Sequence, residues 1–279
     1  MSCIGVTGLV ADHVRWMRIE AYSPNTIKLR LLALQLLERY AGQDLADLTE
    51  ADLDAWQGTL LVLADATRAA YALQVKQFYR WAYQHGRLPA DPSEVLKCPK
   101  VRKGQPRPIS EPDLRKALGE VPQVVRVWFC LAAFCGLRAS EIAGLRREDV
   151  IEYGDLPRLM VRGKGGKERT VPIPPNPLAE LLAYGLPRRG PLFLRSESLP
   201  VTGRYVSGTC NRWLHRIGVK DSLHKLRHRY ATQVLDHGAH IRDLQELLGH
   251  ETLAATAVYT RVLPRRAAPV VAAVDHPLI

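Results

Sequence analysis

The chain has 279 residues, and its 47% hydrophobic and 24% charged residues are typical of a globular protein of about two domains. It contains no apolar run of about 18 residues and no signal-peptide pattern at its start, so we expect a cytoplasmic protein without a membrane partner. The five cysteines have no paired spacing, which argues against a disulfide framework and against a zinc site.

The net charge of +11 is distributed unevenly along the chain. Residues 1–96 carry 9 basic and 11 acidic side chains, whereas residues 108–279 carry 25 basic and 17 acidic ones. Residues 97–107 carry five basic side chains, no acidic ones and two prolines, which predicts a semi-extended linker between two domains. The basic second domain indicates a polyanionic partner; the alternative is a basic protein that binds no polyanion. The linker residues predicted to contact phosphates are Lys97, Lys100, Arg102, Lys103 and Arg107.

The first 96 residues are predicted to form a small helical bundle. Ser23 and Pro24 occupy the N-cap and N1 positions of a helix that ends at Gly42. Thr49 begins a second helix, because an acid three residues later completes a capping box. A third helix begins at about Asp65, and the spacing of its aromatic side chains favours a buried face over base stacking. These aromatic residues are Tyr71, Phe78, Tyr79, Trp81 and Tyr83.

The second domain is predicted to be mostly helical with one small sheet. Alternating residues and glycine-rich breaks over residues 150–174 predict antiparallel strands with tight turns. Cys130 and Cys135 lie in an apolar run and are interpreted as buried free thiols. The predicted helices lie near residues 111–120, 123–135, 177–185, 201–217, 224–237, 240–248 and 252–260.

The helix predicted from His224 contains an arginine on its core-facing side. At about 100° per residue, His224 and Arg227 share that side, whereas His228 lies on the polar side. An unpaired buried charge costs several kcal/mol, so Arg227 must either pair with a buried carboxylate or bind an anion. Both interpretations stay open on the sequence alone.

A second arginine is predicted to face inward. Arg138 shares a helical face with Ile142 and Leu145, and Glu141 is placed to pair with it. Two inward arginines in one domain favour an anion held from two sides, such as a phosphate.

Three further residues, Lys164, His250 and Tyr259, indicate a function only when they are considered together. The glycine-supported turn carries Lys164 but lacks the spacing of a nucleotide-binding P-loop, and the helix from His224 lacks the glutamate of a zinc protease motif. His250 follows a glycine helix stop, and Tyr259 lies nine residues later. Taken singly, none of these residues is specific evidence for a reaction.

Together, these segments resemble the tyrosine recombinase family, which includes the phage integrases and the Xer-type recombinases. The motifs occur in the family's order: G-L-R-x-S-E from Gly136, G-K-G-x-K-E-R from Gly163, H-x-L-R-H from His224, L-L-G-H from Leu247, and then Tyr259. The resemblance covers residues 108–263 and, less sharply, the N-terminal region. It implies the catalytic set Arg138, Lys164, His224, Arg227, His250 and Tyr259.

The resemblance also implies a fold and a domain order. We expect a mainly α fold with a small antiparallel β-sheet, in which a helical core-binding (SAM-like) domain precedes an α+β catalytic domain. The corresponding boundaries are residues 1–96, a linker at 97–107, a catalytic domain at 108–263 and a C-terminal tail at 264–279.

By the same resemblance, Tyr259 attacks a DNA phosphorus and forms a 3′-phosphotyrosyl bond. His224 is the candidate base, Arg138 and Arg227 stabilise charge on the phosphate, and Lys164 protonates the leaving 5′-oxygen. His250 contacts or positions the phosphate, and no cofactor or metal is expected. The partners implied are double-stranded DNA at attachment or core sites, three further copies in a tetramer that passes through a Holliday junction, and an excision-directing factor.

Three alternatives to a phage-type integrase remain at this point. An Xer-type dimer resolvase uses the same chemistry on chromosome or plasmid dimers. A type IB topoisomerase uses it without sequence choice. A helical DNA-binding regulator would use no catalysis, although the complete catalytic set argues against it.

Overall fold

The computed structural model describes residues 8–100, 107–153, 156–163, 166–196, 198–249, 252 and 256. The chain divides into two units, Met1–Lys103 and Gly104–Ile279, and this division falls within the predicted basic linker. Over the described ranges, no helix is both long and apolar enough to cross a membrane.

The first unit is helical, as the sequence predicts. Ser23 caps the second helix through a 3.2 Å hydrogen bond from the Thr26 N–H, and that helix ends at Gly42 with φ of 68°. Thr49 and Asp52 form the predicted capping box. The described helices are α1 (Gly8–Ile19), α2 (Pro24–Ala41), α3 (Glu50–Thr59) and α4 (Asp65–Gln84).

Helix α1 is an element that the sequence patterns did not predict. Its buried positions are Val10, His13 and Met17. A histidine in the middle of the buried face interrupts the apolar repeat by which an amphipathic helix is recognised. The predicted aromatic core of α4 is confirmed for Phe78, Tyr79 and Trp81, and Tyr71 packs against it. The prediction is wrong for Tyr83, which is 52% exposed at the helix end.

A polar cluster lies inside this helical core. Arg30 Nε donates a 2.8 Å hydrogen bond to Gln74 Oε1, and Arg30 Nη1 lies 2.7 Å from His13 Nε2. The His13 ring also stacks on Trp16 and meets Phe78 edge-on. Burial, and then electrostatic interaction with Arg30 and with His85, lower the pKa of His13 to about 3. The imidazole is therefore neutral and accepts the hydrogen bond from the guanidinium.

The second unit combines helices with small antiparallel sheets. The predicted antiparallel sheet is present, and its strands β1 (Val150–Ile151), β2 (Arg158–Arg162) and β3 (Glu168–Pro172) lie side by side in that order. A second pair, β4 (Leu194–Ser196) and β5 (Leu199–Pro200), was not among the predicted elements. The described helices are α5 (Glu111–Gly119), α6 (Gln123–Cys135), α7 (Ala139–Gly144), α8 (Pro175–Tyr184), α9 (Gly203–Arg216), α10 (Leu223–Asp236) and α11 (Ile241–Leu248).

Helix α6 is the centre of the second unit. It is apolar on nearly all sides and packs against α5, α8, α9 and α10. Cys130 and Cys135 are buried in it as predicted, and burial raises the pKa of the Cys130 thiol to about 12. A smaller apolar cluster joins α10 to α11 through Tyr230, Ala231, Leu235, Leu244 and Leu248. The predicted helix at 252–260 lies outside the described residues except for positions 252 and 256.

The neutral state of His13 predicts an acid-sensitive stability. An unfolded chain protonates this histidine at about pH 6.5, whereas the folded ring stays neutral until about pH 3, so protons favour unfolding between these values. His13→Gln keeps an acceptor for Arg30 and removes the titration. In urea unfolding of the full chain, we expect the loss of stability from pH 7 to pH 5 to be about 2 kcal/mol smaller in the variant.

The matched control is His215→Gln, because His215 is exposed on α9. That variant should keep the wild-type pH dependence. Identical pH dependence in wild type and His13→Gln would contradict the buried neutral imidazole.

Candidate active site

Arg227 is buried on α10, as its position on the core-facing side predicts, and only 1% of the residue is exposed. Its Nη1 donates to the carbonyl of Gly136, and its Nη2 donates to the Leu248 carbonyl at 2.7 Å. Glu141 Oε2 lies 3.4 Å from Nη1. The carboxylate that the sequence left open as a partner is therefore present.

Arg138 occupies a different position from the predicted one. It is the N-cap residue of α7, with φ −77° and ψ 156°, and 37% of its side chain is exposed. The prediction that it faces the core beside Ile142 is wrong, because an extended N-cap residue precedes the first helical turn and does not follow the helical spacing. Its Nη1 donates to Glu141 Oε1 at 2.8 Å and to the Leu248 carbonyl at 3.1 Å.

The carboxylate of Glu141 is the centre of this arrangement. It is 3% exposed and also accepts the Arg138 backbone N–H at 2.8 Å. Arg169 of β3 binds it with both terminal nitrogens at 2.9 Å, which is the bidentate geometry of a strong charge-assisted pair. Three guanidinium groups therefore surround one carboxylate. The cluster keeps an excess of two positive charges.

Electrostatics keep Glu141 ionised. Burial would raise the pKa of Glu141, but the hydrogen bonds and charge of Arg169 outweigh it. The Arg138 backbone N–H and the charge of Arg227 add to this effect, and together they lower the pKa of Glu141 to about 2. The carboxylate is negative at every pH at which the protein is expected to work.

The same three arginines bind the end of α11. Arg169 Nε donates to the Leu247 carbonyl at 2.7 Å, and Arg138 Nη2 donates to the Gly249 carbonyl at 3.3 Å. The Leu247 carbonyl belongs to the last turn of the helix and the Gly249 carbonyl to its C-cap residue, and partial negative charge accumulates at this end. Gly249 ends α11 with φ of 61°, a conformation that favours glycine. The cluster thus fixes the backbone immediately before His250.

His224 lies near the arginines but not inside the core. His224 is exposed in the first turn of α10, so the prediction of an inward position is wrong. Helical spacing predicts the side on which a residue lies, but it does not predict whether a neighbouring element covers that side at the start of the helix. Desolvation by the surrounding protein lowers the pKa of His224, and the charges of Arg227 and Arg138 lower it further. The imidazole is therefore neutral at pH 7 and able to accept a proton.

His228 also departs from its predicted position on the polar side. It is half-buried, and its ring meets that of His224 edge-on at 4.3 Å between centroids. Burial is the first cause that lowers the pKa of His228 to about 4, followed by electrostatic interactions with His224, Arg227 and Lys225.

Three members of the predicted catalytic set, Lys164, His250 and Tyr259, lie outside the described residues. The chain flanking Lys164 is defined, because β2 pairs with β3 and the Gly163 N–H donates to the Lys167 carbonyl at 2.7 Å. Among the predicted linker contacts, Lys97, Lys100 and Arg107 are exposed, whereas Arg102 and Lys103 are not described. Both the backbone N–H and the carbonyl of Lys97 bind the side chain of Gln57.

Arg169 is the residue that sequence reasoning did not assign. It lies two positions before Val171, which is fully buried on β3. Alternate residues of a strand face the same side, so this spacing was the signal for an inward arginine. Glu141 was recognised only as a partner of Arg138, because nothing local links it to residues 28 and 86 positions away.

Removing the charge of Glu141 tests its central position. Glu141→Gln leaves three clustered guanidinium groups without a counter-ion, and breaking a buried ion pair in this way costs about 3–5 kcal/mol. We expect a loss of that size in urea unfolding at pH 7. In the wild type, this stabilisation is present above pH 4.5 and is lost as the pH falls towards about 2.

Glu148→Gln is the matched control, since Glu148 pairs with Arg146 at the surface and both side chains are about half exposed. Its effect should stay within about 1 kcal/mol. Equal effects of the two substitutions would contradict the central role of Glu141.

Comparison with known proteins places this site in a family. The model of the Phage integrase family matches residues 112–266. Tyrosine recombinase XerC of Myxococcus xanthus is 35% identical over 269 residues, which cover 86% of this chain and 88% of that protein. Tyrosine recombinase XerA of Thermococcus kodakarensis is 32% identical over 274 residues, covering 91% and 90%.

A solved structure shows the same fold. A lambda integrase dimer bound to a COC′ core site superposes with a TM-score of 0.74 at 15% sequence identity, covering 91% of this chain and 94% of that chain. The family match extends over more than half of the residues, and the relatives are matched over most of their length. The chain therefore belongs to the phage integrase family and is a tyrosine recombinase.

Proposed function

We propose that this site-specific recombinase cleaves and rejoins double-stranded DNA through a 3′-phosphotyrosyl intermediate at Tyr259. The observation that carries the proposal is the cluster of Arg138, Arg169 and Arg227 around Glu141, because its two excess positive charges match a phosphate. Arg138, at 37% exposure, can contact a non-bridging oxygen, and the more deeply placed Arg227 adds fixed charge beside it.

The protonation state of His224 supports one further role, and the family resemblance implies the roles of Lys164 and His250. His224 is neutral because its pKa is lowered, so it serves as the base that takes the proton of the Tyr259 hydroxyl. The phenolic oxygen then forms a bond to phosphorus as the bond to the 5′-oxygen breaks. Lys164 donates a proton to that oxygen, and His250, which follows Gly249 in the sequence, binds the phosphate. Attack by a partner strand's 5′-hydroxyl reverses these steps and completes strand exchange.

The biological setting of the proposal is strand exchange between two DNA sites. We propose that four copies assemble on them and exchange strands through a Holliday junction, in the cytoplasm of a bacterial host. Two biological roles fit this reaction, that of a phage-type integrase and that of an Xer-type dimer resolvase. The XerC and XerA relatives support the resolvase role as strongly as the integrase role. Sequencing DNA trapped covalently on the protein distinguishes attachment sites from a site shared by chromosome or plasmid dimers.

Tyr259→Phe is the decisive test of the chemistry. The substitution removes one oxygen and keeps the ring, so folding and DNA binding should be close to wild type. Covalent complex on a nicked suicide substrate should disappear, as should recombination. The control is Tyr230→Phe: burial raises the pKa of Tyr230 to about 12 and its ring packs on Gly136, so its phenol is unsuited to attack. A covalent adduct on the Tyr259→Phe protein would refute the assignment.

The basic linker is predicted to contact the DNA backbone. Changing Lys97, Lys100, Arg102 and Lys103 to Gln should weaken binding to all sequences alike, because phosphates carry no sequence information. The slope of log affinity against log salt should flatten by about 0.9 for each phosphate that the variant no longer neutralises. The double variant of Lys97 and Lys100 should give a correspondingly smaller change. An unchanged slope in the quadruple variant would show that the linker does not neutralise phosphates.

A further inference from the structure

One side chain in the second unit joins three separate segments. Arg169 on β3 is 11% exposed and uses all of its guanidinium nitrogens. Its Nε binds the Leu247 carbonyl at 2.7 Å, and its two terminal nitrogens bind the two oxygens of Glu141 at 2.9 Å each. It therefore connects the β2–β3 hairpin to α7 and to the end of α11.

Each of these segments carries or precedes a residue of the proposed catalytic set. Lys164 lies five residues before Arg169 in the sequence, between Gly163 and Lys167, and the Gly163 N–H donates to the Lys167 carbonyl. Glu141 orients Arg138 through both its backbone and its side chain. His250 lies three residues after Leu247.

The approach of Arg169 to α11 is unusually close. A Cβ at Gly249 would lie 2.9 Å from Arg169 Nη1 and 3.3 Å from its Cδ and Cζ. The guanidinium thus packs directly on the backbone that precedes His250. Arg227 and Arg138 donate to the neighbouring Leu248 carbonyl, and a small apolar cluster that includes Leu244 and Leu248 packs α11 on α10. Arg169 is the arginine that binds the Leu247 carbonyl, so its shift would alter the backbone at this end of α11.

Arg169 also affects the charge available to a phosphate. It is the principal group that lowers the pKa of Glu141, and its bidentate contact occupies both carboxylate oxygens. If Arg169 were absent, Glu141 would draw Arg138 and Arg227 towards itself. Because Arg169 pairs with Glu141, the positive charges of Arg138 and Arg227 are less neutralised by that carboxylate and attract an anion more strongly.

We propose that Arg169 is a positioning residue that links the β2–β3 hairpin to the Gly249 end of α11. Through this link, the general acid Lys164 and His250 reach the phosphate in a fixed geometry. This inference rests on the proposed function. In this role Arg169 acts through the groups that it positions, by way of its contacts with Glu141 and the Leu247 carbonyl. Its loss is expected to impair chiefly the step that needs the general acid, which is departure of the 5′-oxygen.

A substrate with sulfur in place of the bridging 5′-oxygen isolates that step. Tyr259 oxygen forms the bond to phosphorus, the phosphorus–sulfur bond breaks, and sulfur leaves as a thiolate without needing a proton, because thiols ionise at about pH 8.5. A variant that has lost only the positioned acid should therefore be rescued by this substrate. A variant with general damage to the fold should be slow on both substrates.

Arg169→Lys keeps the charge but loses the planar fork. In single-turnover cleavage, we expect the rate on ordinary DNA to fall on the order of 10²-fold, as for a lost general acid, with DNA binding nearly unchanged. The 5′-sulfur substrate should restore most of this loss. Lys164→Ala should show the same rescue, and His224→Ala should show none because it lacks the base.

The matched control is Arg158→Lys, on the neighbouring strand. The hydrogen bond found for Arg158 in the described part of the chain is to the Leu156 carbonyl, away from α7 and α11. This variant should cleave both substrates at the wild-type rate.

A second variant covers the case in which Arg169→Lys does not fold. Gly249→Ala retains every charge and pushes a methyl group into the guanidinium, at a backbone cost of about 1–2 kcal/mol. It should reproduce the slow cleavage and the rescue. Wild-type rates on ordinary DNA, or a loss that sulfur does not restore, would overturn the positioning role. If the wild type itself formed no covalent complex, the proposed function would fail instead.

Discussion

The buried carboxylate of Glu141 is the constraint on which the rest of the site depends. A carboxylate that is 3% exposed is tolerable only if it is fully paired, and here three arginines supply the pairs. Those arginines come from α7, β3 and α10, so satisfying one charge fixes three elements. The positive groups are consequently in place before any substrate arrives. Such preorganised charge needs no rearrangement when negative charge develops during the reaction.

The number of arginines relative to carboxylates in the cluster matters as much for phosphate binding as their position. A phosphodiester carries one negative charge, and attack by an oxyanion adds a second at phosphorus in the transition state. Three arginines and one glutamate leave two positive charges, whereas a second carboxylate in the cluster would remove half of that excess. The first unit holds a buried arginine differently: Arg30 faces neutral His13 and Gln74, a pairing without an acid in the described residues. Of these two clusters, the one around Glu141 has the charge that a phosphate requires.

Local sequence patterns predicted most helices and the three-stranded sheet, but they did not predict the side-chain contacts between distant segments. Caps at Ser23 and Thr49 depend on neighbours within three residues, so the sequence reveals them directly. The burial of Arg227 followed from helical spacing for the same reason. Arg138 and His224 were misplaced because they lie at helix starts, where the spacing rule does not describe the surroundings. The binding of Arg169 to α11 joins residues 78 positions apart, which no local pattern encodes.

The three arginines differ in side-chain exposure, and this difference suits them to different roles. Arg227 and Arg169, with side chains 2% and 11% exposed, bind carbonyls of the last turn of α11 and hold it in place. Arg138, at 37%, reaches the same turn through longer contacts of 3.1 and 3.3 Å. In the proposed reaction, the phosphate competes most easily for this exposed and weakly bound group. DNA would then engage Arg138 while the other two arginines keep the backbone before His250 in position.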